Sequence, residues 1–196
     1  MLTREIQARL SEPQKRQVML EYAKLYGLGV FVETGTHDGD TVAEMVDAGL
    51  FEAIWSVELS AGHAEAARHR FVAHANVFLR EGDSAHFLRE LVPLLRRPAL
   101  FWLDAHPGEP GTAGKYGECP LYEELRAIFK SPDGPAWPHV VLVDDARLFP
   151  EQGWPSFEEV RLVANRFGWD VSLCDDIVRC TPPELPGHTI RAVVGT

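Results

Sequence analysis

Acids and glycines recur in this chain where short apolar runs end, a pattern suited to holding a small polar cofactor. The run Phe31-Val32-Glu33-Thr34-Gly35-Thr36-His37-Asp38-Gly39-Asp40-Thr41 joins an apolar strand to a helix through a glycine-bearing turn. Glycine permits positive φ and lets backbone approach a ligand with no Cβ in between, while the following helix offers unpaired N–H groups. The glycine pattern is G-x-x-x-G preceded by Glu33, not the G-x-G-x-x-G of pyrophosphate binders, so it suits a cofactor carrying an amine rather than phosphates. About 25 residues on, Ile54-Trp55-Ser56-Val57-Glu58 ends a second apolar run with an acid, where a doubly wound sheet holds a ribose diol. Gly35 and Gly39 alone fit a plain strand-to-helix turn equally well. The pairing with Glu58 tips the reading toward a site.

Three further strand ends carry polar groups. Val77-Phe78-Leu79-Arg80 runs to Gly82-Asp83-Ser84, where Asp83 can accept from an exocyclic amine and Ser84 can cap the next helix. Ala99-Leu100-Phe101-Trp102-Leu103 reads as a central strand buried on both faces and delivers Asp104-Ala105-His106. His139-Val140-Val141-Leu142-Val143 delivers Asp144-Asp145 to the same edge. Acids converging there raise one another's pKa unless a cation or shared proton intervenes, and an oxygen-rich set of this kind suits magnesium or calcium. A turn or helix cap is the competing reading for Asp144-Asp145. His106, two positions after Asp104, can titrate near neutral pH. His63, His69 and His74, spaced by six and five, do not stack on one helix face and read as solvated surface.

Apolar runs alternate with helical patterns, the signature of parallel strands joined by crossover helices. Ser11 and Pro13 open a helix to about Tyr26, closed by Gly27 and Gly29. Thr41 to Ala48 is the first crossover helix with Gly49 as its cap, and Ser60 opens another to about Ala73. Pro120 starts a helix, and Ser156-Phe157-Glu158-Glu159 is a capping box whose helix turns Val160, Val163, Ala164 and Phe167 inward. Residues 170–173 and 177–180 flank Asp175-Asp176 as a hairpin. With 196 residues and 45% hydrophobic content, the chain fits a single α/β domain. A helical segment over 1–29 would precede a domain over 30–181, and 182–196, with three prolines, would form a tail or added edge strand.

A formal charge of −10 disfavours nucleic acid, since Arg96-Arg97 is too short to track a polyanion. No run of about 18 apolar residues exists to span a bilayer, and charge at Arg4 and Glu5 stands where a signal peptide needs apolar residues, so a cytoplasmic protein is expected. Three cysteines with no C-x-x-C pair fit reduced thiols.

From Glu33 through Asp83 the chain resembles class I S-adenosylmethionine-dependent methyltransferases. Trp102-Leu103-Asp104-Ala105-His106, Thr112-Ala113-Gly114 with Pro120-Leu121-Tyr122-Glu123-Glu124-Leu125, and Val143-Asp144-Asp145-Ala146-Arg147-Leu148-Phe149 extend this to a branch of bacterial methyltransferase-like proteins over about 28–182. The resemblance implies a Rossmann-like methyltransferase fold: a mostly parallel sheet with an antiparallel edge hairpin and helices on both faces. It implies that Gly35, Thr36, Gly39 and Thr41 with Glu33 hold the methionine end of S-adenosylmethionine, Glu58 and Leu59 the ribose, Asp83 and Ser84 the adenine, with Asp104 closing the pocket. More distantly, the chain is similar to magnesium-dependent sugar O-methyltransferases of the macrocin type. That similarity implies Asp104, Asp144 and Asp145 as ligands of Mg2+, although His106 stands where the macrocin pattern has a second Asp.

The expected activity is methyl transfer to a small-molecule hydroxyl, with His106 and Asp104 as the catalytic pair. The long loop 107–119 reads as a lid offering Lys115 and Tyr116. Two alternatives stay open: a metal-dependent hydrolase using the Asp/His cluster, and a non-catalytic S-adenosylmethionine-binding accessory protein. The expected partner is a small acceptor, with no nucleic acid and no membrane, and homo-oligomerisation is left open.

Overall fold

A computed structural model describes residues 10–105, 119–129, 137–149 and 154–182. The continuous apolar runs become the strands of one sheet: β1 (Val30–Thr34), β2 (Ala53–Glu58), β3 (Val77–Glu81), β4 (Ala99–Leu103), β5 (Val140–Val143), β6 (Asp170–Cys174) and β7 (Ile177–Thr181). Their order is β3-β2-β1-β4-β5-β7-β6. β1 to β5 pair in parallel, while β7 is antiparallel to both β5 and β6. Every residue of β1, β4 and β5 is buried, which is why these central strands carry no apolar–polar alternation.

The helices are α1 (Glu12–Tyr26), α2 (Asp40–Ala48), α3 (Ala61–Arg70), α4 (Ser84–Leu91), α5 (Leu121–Phe129) and α6 (Phe157–Asn165). One face of the sheet packs Met19 and Ala23 of α1 and Val42 and Met45 of α2 against Phe31, Ile54, Leu100 and Leu142. The other packs Phe87 and Leu88 of α4, Leu125 and Ile128 of α5, and Val160 of α6 against Val32, Phe101, Val141 and Val178. Helices therefore cover both faces, as expected. Among the described residues no helix is long and apolar enough to cross a membrane.

Local signals set most boundaries. Ser11 forms a capping box with Gln14, and Gly27 closes α1 in the left-handed conformation at φ 63°. The expected hairpin is present, with Asp175 and Asp176 both at positive φ in its two-residue turn. One boundary differs: α3 ends at Arg70 and not near Ala73. Phe71 leaves the helix to pack, 6% exposed, in the core beside α2. The start of β5 differs too, since His139 lies outside the strand. Its Nδ1 instead accepts from the Ala99 N–H at 3.1 Å, and burial pushes its pKa down to about 4.

Candidate functional site

The carboxyl ends of β1, β2, β3 and β4 lie side by side, so Glu33, Glu58, Asp83 and Asp104 gather along one edge of the sheet. The turn after β1 is held against its neighbours. Gly35 and Thr36 both donate to the Val57 carbonyl, at 2.9 and 3.3 Å. Gly35 has φ 87°, and a Cβ there would lie 2.8 Å from the Asp104 carbonyl oxygen. Only glycine lets β1's exit pass so close to β4's exit. Gly39 has φ 78° and faces Phe71, whose ring a Cβ would meet at 2.8 Å.

Glu58 is the open end of this edge. One carboxylate oxygen accepts from the His37 N–H at 2.9 Å and the other from the Ser60 N–H at 2.8 Å. The acid at the end of β2 is thus oriented by the glycine turn on one side and the start of α3 on the other. It is half-buried, and the exposed Leu59 follows it, giving an apolar shelf beside a hydrogen-bonding one. This arrangement fits a ribose diol with an adjoining base.

Glu33 behaves differently. It is 2% exposed and accepts from Ser56 Oγ at 2.7 Å, with Thr41 as a second hydroxyl partner. Ser56 Oγ also lies 2.6 Å from Thr36 Oγ1, so the hydroxyls of β2 and the glycine turn close one network around this acid. Burial pushes the Glu33 pKa up to about 8, with Asp104 and Glu58 adding to the rise and Ser56 and Thr41 opposing it. Asp83 is the cap of α4, accepting from the His86 N–H at 2.7 Å. Ser84 is buried and turns toward Glu124.

No protein-family model matches the sequence. No curated protein matches it either. Solved structures do match in fold. A methyltransferase of Podospora anserina, PaMTH1, bound to S-adenosylhomocysteine, is 15% identical with a TM-score of 0.59, covering 89% of this chain and 80% of its own. The O-methyltransferase TomG of Streptomyces achromogenes, in complex with S-adenosylmethionine, is 16% identical with a TM-score of 0.58, covering 89% and 82%. The 23S rRNA methyltransferase ErmE is 17% identical with a TM-score of 0.56, covering 89% and 70%. This chain has the class I methyltransferase fold. These neighbours include a 23S rRNA methyltransferase and an O-methyltransferase involved in tomaymycin synthesis, so the fold does not by itself select an acceptor.

The carboxyl ends of β4 and β5 continue the same edge and hold a second group of acids. Asp144 is 3% exposed, and its Oδ2 meets Lys15 Nζ of α1 at 2.6 Å. Lys15, 2% exposed, also reaches Glu12 at 2.9 Å and Asp145 at 3.8 Å. The other Asp144 oxygen accepts from the Asp145 N–H at 2.7 Å. Asp145 sits at φ 56° and pairs with Arg147 at 2.5 Å, and Arg147 continues to Asp176 of the hairpin turn. Burial opposes charge on Lys15, but Asp144 and Glu12 outweigh it and hold the ammonium protonated. Asp144 and Asp145 are thus already paired with cations, and a divalent ion held by them would have to displace the Lys15 ammonium or the Arg147 guanidinium. The turn reading of Asp144-Asp145 is realised alongside that charge network.

Between these two groups lies a residue that sequence reasoning passed over. Glu124 of α5 is 1% exposed, and its Oε1 has no hydrogen-bond partner among the described residues. With Asp104, Asp144, Cys119 and Trp154 it lines a small cavity at the ends of β4 and β5. Burial pushes its pKa up to about 7, the hydroxyls of Ser84 and Thr34 oppose this, and Asp83 and Asp104 reinforce it. The only sequence signal was an acid on the helical face that otherwise buries Leu121, Leu125 and Ile128. Lys15 carried a similar signal on α1, among Met19 and Ala23. His106 and the loop 107–118 lie outside the described residues, as does the tail from 183. A cavity of about 490 Å3 lined by Leu28, Glu52, Arg97 and Trp137 lies at the opposite, amino-terminal edge, away from all these acids.

Proposed function

We propose that this protein transfers the methyl group of S-adenosylmethionine to a hydroxyl of a small-molecule acceptor in the cytoplasm. The observation that carries the reading is the Glu58 carboxylate, held by backbone N–H groups from both the glycine turn and the α3 cap. Such a cradle has a use for a vicinal diol and little for a plain turn. O-methyltransferase neighbours such as TomG support an oxygen acceptor. The charge of −10 supports a small molecule over nucleic acid.

When bound, the cofactor supplies a sulfonium-activated methyl carbon. The chain's own work is then positioning and proton removal. Gly35, Thr36 and Gly39 offer backbone to the methionine end, while Glu33 braces that turn through Ser56 and Thr41. Glu58 would orient the ribose, Leu59 would border the base and Asp83 would face the adenine amine, while Ser84 turns to Glu124 instead. The methyl carbon would go to the acceptor oxygen, with the electron pair of the carbon–sulfur bond left on sulfur. The acceptor's proton passes to a carboxylate at the end of β4, where Asp104 and Glu124 share the cavity. A carboxyl held near pH 7 is matched to that task. Lys15 already supplies the positive charge beside Asp144 that a metal would bring. The hydrolase alternative meets the same ammonium and leaves the Glu58 cradle without a purpose.

Calorimetric titration with S-adenosylhomocysteine tests the reading. Wild-type protein should bind it, and Glu58→Ala should weaken binding at least about a hundredfold, a loss of about 3 kcal/mol in charge-assisted hydrogen bonds, while the melting temperature holds. A wild-type chain that does not bind S-adenosylhomocysteine defeats the proposal.

A further inference from the structure

The glycine turn carries a second cluster whose side chains play no part in the proposed transfer. His37 and Asp38 at the tip of the turn meet His63 from the first turns of α3. His37 Nδ1 lies 3.4 Å from Asp38 Oδ2, and His63 Nδ1 lies 3.6 Å from Asp38 Oδ1. The two imidazoles stack with ring centroids 4.5 Å apart and planes 29° apart. One ligand atom from each residue falls within 4.8 Å of the others. Ligand atoms held at about 2.0–2.1 Å from a tetrahedral zinc ion stand about 3.3–3.4 Å from one another, so one nitrogen of each imidazole and one Asp38 oxygen, already within 4.8 Å, reach such a shell by side-chain rotation alone.

The cluster is built on a fixed frame. His37 holds φ 47°, a left-handed conformation uncommon for residues other than glycine, and its N–H is committed to Glu58 at 2.9 Å. Arg70, at the far end of α3, donates to the Asp38 carbonyl and pairs with Asp40 at 2.8 Å. The turn is therefore tied to α3 at both ends of that helix, and the imidazole of His63 is presented to Asp38 without large movement of either backbone. Two imidazoles and one carboxylate suit a borderline divalent transition metal, whereas calcium and magnesium prefer an all-oxygen shell.

We propose that His37, Asp38 and His63 form a binding site for a zinc-class divalent cation, with three protein ligands and the remaining position taken by water. The cation joins the glycine turn to α3 across Glu58. This assignment is independent of methyl transfer, because it requires no cofactor.

Titration of Zn2+ into the full chain, followed by calorimetry and by the melting temperature, tests it, with Co2+ as a spectroscopic substitute. Wild-type protein should take one ion per chain, melt at a higher temperature with Zn2+ present, and give a Co2+ spectrum of nitrogen and oxygen ligation without thiolate bands. His63→Ala and Asp38→Ala, both at exposed side chains, should each weaken binding at least about tenfold and abolish the Zn2+-dependent rise in melting temperature. His69→Ala, on the same helix but paired with Glu65, should bind as the wild type does. No binding by the wild type, undiminished binding by both His63→Ala and Asp38→Ala, or an equal loss in His69→Ala would overturn the site.

Discussion

The two halves of the sheet's carboxyl edge carry similar numbers of acids but balance their charge in different ways. Around β1 and β2 the acids are met by neutral donors: Glu33 by the hydroxyls of Ser56 and Thr41, Glu58 by two backbone N–H groups. Around β5 they are met by cations, Asp144 by Lys15 and Asp145 by Arg147. Neutral donors orient a carboxylate and leave it able to accept from a ligand. An ammonium at 2.6 Å consumes it. On the proposed function the first half recognises the cofactor, whereas the second ties α1 and the β6–β7 hairpin to the sheet, and Glu124 with Asp104 occupies the seam between them.

The largest expected effects fall on that seam and on the cationic half. Glu124→Gln removes the proposed proton acceptor while keeping shape, and should lower kcat by about 10²–10⁴ with cofactor affinity little changed. A rate within a few-fold of wild type would return the role to Asp104 or to His106. Lys15→Met should leave Asp144 buried without its counter-charge and cost about 3–5 kcal/mol by chemical denaturation. Adding Asp144→Leu should recover most of that loss, since the penalty belongs to the uncompensated acid. If the single variant proves neutral, the β5 acids are free to serve as cation ligands after all.

Smaller effects separate the halves by geometry and by pH. Gly35→Ala combines φ 87° with a contact at 2.8 Å from the Asp104 carbonyl. The variant should lose about 3 kcal/mol from strain and overpacking, together with affinity for S-adenosylhomocysteine. Unaltered stability would mean that β1 and β4 separate more easily than this contact implies. Glu33 has a folded pKa near 8 against an ordinary value of 4.5. Between these values the unfolded chain releases the proton that the folded chain retains, so stability falls as pH rises across the window. Glu33→Gln should flatten that part of the melting-temperature profile, and an unchanged slope would place the titration elsewhere.

The strands, their parallel pairing and the edge hairpin are legible in the sequence because each is a local pattern: five apolar residues in Ala99–Leu103, a turn at Asp175-Asp176, a capping box at Ser156. The same is true of the glycine turn and of Glu58, since a residue at the end of a buried strand must emerge at the sheet's edge. Leucine and phenylalanine report burial by their chemistry, so the core reads directly. What a charged residue on an otherwise buried face will meet is not encoded nearby.

Lys15 and Asp144 are separated by 129 positions, and only the packing of α1 against the sheet brings them together. The same holds for Glu124 among Thr34, Ser84 and Asp104, and for His63, which meets His37 and Asp38 and neither of the histidines nearer to it in sequence. Sequence alone determined which acids stand at which strand ends, because that depends on hydrophobic runs and the residues bounding them. Tertiary structure alone decided which of those acids remain available, because a carboxylate's chemistry depends on the partner within a few ångströms of it, and that partner arrives from a distant part of the chain.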